Sequence, residues 1–230
     1  SDLAVPAASA PAESLDELIA RRRSMLEDYQ DAAYARRYDE LLVRISKAEA
    51  PFGSSALTEA VARNYHRLLA IKDEYEVARL HADPAFMKQL QTTFAGDFRL
   101  RFYLAPPLLA RPDPQTGRIA KRSYGPWMLH FFRLLAKLRR LRGTLLDPFA
   151  RTADRRLDRQ LTADYENDIS LILERLEAGT LGTAIALARL PDELRGFGPV
   201  KAENVARTAP RREALRQQMM ASGPATSTDT

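Results

Sequence analysis

The sequence predicts a mainly α protein, a multi-helix bundle with one small β-hairpin. Three observations carry that reading. Apolar residues recur every three to four positions over most of the chain, clusters of Pro and Gly cut this pattern into helix-sized pieces, and one short stretch from Arg99 to Leu104 alternates with a period of two.

Ser14-Leu15-Asp16-Glu17 has the form of a capping box, in which the serine and glutamate side chains satisfy backbone donors exposed at a helix start. From there Leu15, Leu18, Leu26, Tyr29, Ala33, Tyr38, Leu41, Leu42 and Ile45 recur at roughly helical spacing until Pro51-Phe52-Gly53. The element is long enough for two helices in line. Ser54-Ser55 opens a second helix that carries Leu57, Val61, Tyr65, Leu68 and Leu69 and runs through Lys72 to Leu80, and the two elements should pack as a hairpin. Asp83-Pro84 ends this run and opens a short helix to about Thr93.

Strand character then appears at Arg99 to Leu104, and Ile119 to Tyr124 is placed to return as its partner across the turn-forming Asp113-Pro114-Gln115-Thr116-Gly117. Gly125-Pro126 suits the start of the most amphipathic helix. On it Trp127, Phe131, Leu135 and Leu138 share one side and are expected to face the core. Asp147-Pro148-Phe149 leads into a helix with Leu157, Leu161, Tyr165, Ile169, Ile172, Leu173 and Leu176 along one side, closed by Gly179. A short helix from Thr180 to about Leu190 is broken by Pro191, and a last helix runs toward Met220 after the tight connection Gly196-Phe197-Gly198, whose phenylalanine is expected to plug the core. Residues 1–13 read as a linker, 14–220 as a single helical domain and 221–230 as a disordered polar tail.

Composition narrows the function. A chain of 230 residues, 45% apolar and 28% charged, can bury a core without staples. With no cysteine, these residues hold no disulfide, thiolate zinc site, cysteine nucleophile or cysteine-bound iron–sulfur cluster. Apolar runs are short and broken by Arg or Lys, so no membrane span and a cytoplasmic protein are expected. The net charge of +5 is a mild imbalance that favours acidic partners without requiring nucleic acid.

Candidate functional residues fall in two groups. Lys72, Asp73, Glu74, Glu76 and Arg79 crowd one helix, with Lys72 and Glu76 at i,i+4 and Glu76 and Arg79 at i,i+3. They form either an ion-pair lattice that grips another domain or a solvated face. Tyr75 and Leu80 are assigned to the buried side. Arg111, Arg118, Lys121 and Arg122 cluster around the hairpin while Arg133, Lys137, Arg139, Arg140 and Arg142 load the back of the Trp127 helix, a density suited to an acidic protein or a phosphate-bearing ligand. His66, His81 and His130 are isolated, without metal-ligand spacing, and each reads as an ordinary surface or half-buried histidine. Ser14, Ser54 and Ser55 are explained by capping, and no hydrolase constellation is visible.

Five segments together carry a resemblance that spans most of the chain. They are Ala70-Ile71-Lys72-Asp73-Glu74-Tyr75-Glu76-Val77-Ala78-Arg79-Leu80, Leu104-Ala105-Pro106-Pro107-Leu108-Leu109, Gly125-Pro126-Trp127-Met128, Leu141-Arg142-Gly143-Thr144 with Asp147-Pro148-Phe149, and Arg195-Gly196-Phe197-Gly198. In order and spacing the chain resembles the C-terminal region of the fused indolepyruvate ferredoxin oxidoreductases, departing from it at Ala150, Arg151 and Pro199. The resemblance implies a parent enzyme that oxidatively decarboxylates aryl or branched 2-oxoacids to acyl-CoA, using thiamine diphosphate, magnesium, iron–sulfur clusters and coenzyme A and passing electrons to ferredoxin. It implies no catalytic, cofactor-binding or metal-binding residue in this chain. Gly96-Asp97-Phe98 lacks the flanking pattern of a thiamine diphosphate motif, and cluster cysteines are absent. The expected role is an accessory domain that supplies interfaces to other domains of the oxidoreductase and to ferredoxin. Two other classes compete with it: a basic helical module binding nucleic acid, which the mild charge makes less favoured, and an oligomerisation domain forming a homodimer through its long first helix, which keeps no strict heptad.

Overall fold

Ser14 accepts a hydrogen bond from the Glu17 amide while the Glu17 carboxylate accepts one from the Ser14 amide, and this reciprocal cap starts the first helix where the sequence places it. The computed structural model describes residues 13–94, 99–104 and 122–221. The expected linker up to residue 12, most of the polar tail, and the strand start at Ile119 lie outside the described residues.

Among the described residues the helices are α1 (Leu15–Tyr29), α2 (Ala32–Glu49), α3 (Ala56–Leu69), α4 (Glu74–Ala82), α5 (Pro84–Thr93), α6 (Met128–Lys137), α7 (Ala153–Arg175), α8 (Leu181–Arg189) and α9 (Pro199–Ala221). Strands β1 (Phe102–Leu104) and β2 (Arg122–Tyr124) pair antiparallel, Phe102 opposite Tyr124 and Leu104 opposite Arg122. The chain is thus a mainly α, multi-helix bundle with one small β-hairpin, as its periodicity predicts.

The first long element is two helices, as its length allows, and the expected continuous helix from Ser54 to Leu80 is broken; in each case an aspartate caps the piece after the break. Asp31 accepts from the Tyr34 amide, so α1 and α2 fold back on each other instead of running in line, with Arg23 on α1 reaching Asp39 on α2 at 2.8 Å. Asp73 accepts from the Glu76 amide at 2.7 Å and starts α4 afresh, leaving Lys72 in the connection. The start of α3 is held by Glu49 together with Ser54, whose hydroxyl accepts from the Ala56 amide at 3.1 Å. The Glu49 carboxylate accepts from the amides of Leu57 and Thr58 and from the Thr58 hydroxyl, whereas Ser55 occupies the cap position without a side-chain bond. Burial alone would raise the Glu49 carboxyl, but the Thr58 hydroxyl and the two amides outweigh it and hold the group below its usual range.

Two apolar cores result. The larger is built by α1, α2, α3, α7, α8 and the Met219 end of α9, with Leu18, Leu26, Tyr38, Ile45, Tyr65, Tyr165, Ile169 and Ile172 buried in it. The seven-residue apolar side predicted for α7 faces this core along its length. The smaller core collects Tyr75 and Ala78 of α4, Phe102 of β1, Met128, Phe132 and Leu135 of α6, and Phe149. Phe132 stacks on His81 at 5.1 Å and meets Phe102 edge-on at 5.3 Å.

That packing corrects the expected inner face of α6. Trp127, Phe131 and Leu138 are 58%, 47% and 39% exposed, and of the predicted four only Leu135 is buried. The core side is the adjacent row Met128, Phe132 and Leu135. Leu80 and Phe197, both assigned to buried positions from sequence, are also exposed.

Candidate functional site

The segment from Lys72 to Arg79 sits where the two cores meet, and its charges are used mainly to join them. Arg142, in the turn after α6, donates to both oxygens of Asp73 at 2.5 and 3.0 Å and to the Tyr29 carbonyl at 2.6 Å. Its guanidinium lies over the Tyr29 ring, 3.6 Å from the centroid, and the Tyr29 hydroxyl donates to Asp73. Burial, reinforced by the Asp73 charge, holds the Tyr29 phenol well above its usual range, so it remains a hydrogen-bond donor. Beside this node the Tyr75 hydroxyl donates to Asp147 at 3.1 Å, and Asp147 also accepts from the Gly143 and Phe149 amides. Gly143 takes a φ of +73° there, the left-handed turn that ends the α6 segment.

The remaining members of the cluster are dispersed by these bonds. Glu74 is bound by Arg155 of α7 at 2.6 Å, and Glu76 holds Arg79 through two contacts of 2.8 and 2.9 Å on the surface of α4. The predicted Lys72–Glu76 pair does not form, because Lys72 precedes the helix that would have brought the two into register; Lys72 is exposed. The lattice read from sequence is therefore two inward links, Asp73 to Arg142 and Glu74 to Arg155, plus a surface pair.

A groove of about 520 Å³ runs beside this joint between the α3–α4 connection, α7 and the start of α9. Lys72, Arg155, Lys201, Glu74 and Asp158 line it, and Phe197, 70% exposed, stands at its edge within the Gly196-Phe197-Gly198 turn. Arg155 and Lys201 both pair with Asp158, so the charges largely neutralise one another. No group of His, Cys, Asp or Glu among the described residues is arranged to hold a metal ion.

Of the histidines, His66 departs most from the sequence reading, being buried on α3 with its ring edge-on to Tyr38. The Arg22 guanidinium, which can only donate, lies 3.0 Å from Nδ1; the ring proton is therefore on Nε2, which has no partner among the described residues. Burial, followed by the Arg22 charge, depresses its pKa to about 3.

The basic region divides differently. Arg118 and Lys121 lie outside the described residues, as does Arg111, while Arg122 is exposed at the start of β2. On α6 the outer surface carries two parallel rows. One is apolar: Trp127, Phe131, Leu134 and Leu138, with Tyr124 of the hairpin edge-on to Trp127 at 6.1 Å. The other, one residue earlier in each turn, is basic: Arg133, Lys137 and, in the turn that follows, Arg140, all exposed. Exposed Leu145 and Leu146 follow the helix. The sequence announces this apolar material but not its orientation, since α6 is apolar along two adjacent rows. No helix among the described residues is long and apolar enough to cross a membrane.

No curated protein and no solved structure matches the chain. The model of one family, described as a family of unknown function, DUF6537, matches residues 15–214, from the first turn of α1 into the last turns of α9. The chain belongs to the DUF6537 family.

Proposed function

We propose that this chain is a docking domain of an indolepyruvate-type 2-oxoacid:ferredoxin oxidoreductase, supplying an interface to neighbouring domains and no catalytic group. The observation that carries the docking part is the uncovered outer row of α6. Four large apolar side chains spaced along about 16 Å of helix form the kind of contiguous patch that marks an interaction surface. Phe132, Met128 and Leu135 already satisfy the core from the same helix, so the outer row is surplus to folding.

The oxidoreductase part rests on the resemblance, and two of its segments meet in the buried joint: Asp73 and Tyr75 from one, Arg142 and Asp147 from another. A scaffold that holds the α6 face at a fixed angle to the larger core explains residue choice at those positions without chemistry. In this reading thiamine diphosphate, magnesium, iron–sulfur clusters and coenzyme A are held by other domains, electrons pass to ferredoxin, and the enzyme works in the reducing cytoplasm.

The test is the coding sequence around this chain together with the purified products. The proposal expects a thiamine diphosphate motif and cluster-binding cysteines on the same polypeptide or in an adjacent reading frame. The complete enzyme should reduce ferredoxin with indolepyruvate and coenzyme A, while the isolated chain is colourless and inactive. Flanking sequence without either motif, or iron–sulfur absorbance from the isolated chain, would overturn it.

A further inference from the structure

The outer face of α6 pairs its apolar row with a charge distribution that specifies what covers it. From Arg99 to Leu146 the sequence has eleven Lys and Arg against a single acid, Asp113, whereas the rest of the chain has 24 against 29 acids. A modest net charge of +5 thus conceals one strongly basic segment on a slightly acidic body.

Among the described residues eleven of the 24 cations of the body pair with carboxylates, Arg21, Arg23, Arg37, Arg63, Arg67 and Arg155 among them. In the basic segment Arg142 pairs with Asp73, but Arg101, Arg122, Arg133, Lys137 and Arg140 are exposed and have no ion pair among the described residues. Their charge is available to a partner.

We infer that the outer face of α6 binds an acidic protein surface, one in which an apolar ridge is flanked by a row of Asp and Glu. This rests on the docking reading of the α6 row and is independent of the oxidoreductase assignment. At about 100° per residue the apolar row lies on the shoulder of α6 nearest the smaller core, and the side directly opposite that core is occupied by Lys137 and His130. A flat anionic bilayer laid on this helix would meet the cations first and leave the apolar row at its side. Nucleic acid would satisfy the cations and leave Trp127, Phe131 and Leu134 in water. A second copy of the same face would set Arg133 and Lys137 against identical charges. A protein ridge carrying both features covers both rows at once.

Trp127 is the only tryptophan in the chain and stands in the apolar row, so its emission reports directly on coverage. The probes are two synthetic amphipathic helical peptides with the same leucine ridge, one flanked by Glu and one by Lys. Phosphatidylserine vesicles and a short DNA duplex serve as further arms.

The Glu peptide should shift Trp127 emission to the blue and bind on the order of tenfold more tightly than the Lys peptide. That preference should shrink as salt shortens the Debye length from about 10 Å at 0.1 M to about 3 Å at 1 M. The triple variant R133E/K137E/R140E should reverse the preference, and Leu134→Asp should weaken both peptides while leaving the circular dichroism unchanged. Equal binding of the two peptides, no binding of either, a blue shift with vesicles or duplex but not with the Glu peptide, or a shift on raising protein concentration alone would overturn the inference. The oxidoreductase assignment fails separately, on the flanking coding sequence.

Discussion

Replacing Arg142 by Met tests whether the joint between the two cores is an electrostatic link or ordinary packing. The substitution keeps an unbranched apolar stem and removes two contacts to the Asp73 carboxylate, one to the Tyr29 carbonyl, and the cation over the Tyr29 ring. The Asp73 side chain, 1% exposed, would keep only the Glu76 amide and Tyr29 hydroxyl as donors. Stranding a buried carboxylate in this way costs about 3–5 kcal/mol, a large share of the total for a domain whose unfolding free energy is of order 5–15 kcal/mol. Urea unfolding followed by far-ultraviolet circular dichroism measures it. The double variant Asp73→Asn, Arg142→Met should be more stable than Arg142→Met alone, because the stranded charge is gone and Asn still caps α4. An Arg142→Met loss below about 0.5 kcal/mol, the level expected of a surface substitution, would refute the reasoning. So would a double variant no better than the single.

Two further outcomes follow from adjacent positions and from pH. Phe132→Ala should cost about 3–5 kcal/mol, whereas Phe131→Ala should fall within about 0.5 kcal/mol of the parent in the isolated chain, since only the first opens a cavity; equal losses in urea unfolding would return the outer row to the core. His66 has its pKa depressed to about 3 in the folded chain. Below the unfolded value near 6.5 the unfolded state binds the extra proton, so the stability from neutral His66 is fully present above about pH 6.5 and is lost as pH falls toward 3. The slope should approach 1.4 kcal/mol per pH unit, or roughly 2 kcal/mol between pH 8 and pH 5. A stability curve that is flat between pH 7 and pH 5 would show that His66 is accessible to protons without unfolding.

The elements were legible where a local device fixes them. The capping box at Ser14, the left-handed turn at Gly53 and Asp83 ahead of Pro84 all act within four residues, and the helices begin or end there. Where two local readings compete, the tertiary partner decides. Asp73 suits an ion pair or a cap equally well by spacing, and the structure uses it as both, with Arg142 at a separation no periodicity reveals. Helix α6 offers two apolar rows one residue apart, and its own sequence is silent on which one α4 and β1 will cover. Glu49 is a plain acid at a helix end until the chain folds back and presents it with the amides of α3. His66 could have been found, since Ala62, Tyr65 and Leu69 at helical spacing around it mark the inner face of α3. The candidate site was legible as material, an apolar helix rich in Arg and Lys, and not as a face.

The most direct test of the account is the accessibility of Trp127 in the isolated chain, because the docking proposal requires the α6 row to be uncovered until a partner arrives. Emission close to that of free indole in water, quenched by acrylamide almost as efficiently as N-acetyltryptophanamide, is the predicted result. A blue-shifted, quencher-protected signal from the monomeric chain would mean that the row is already buried within the protein, and the docking face would be contradicted.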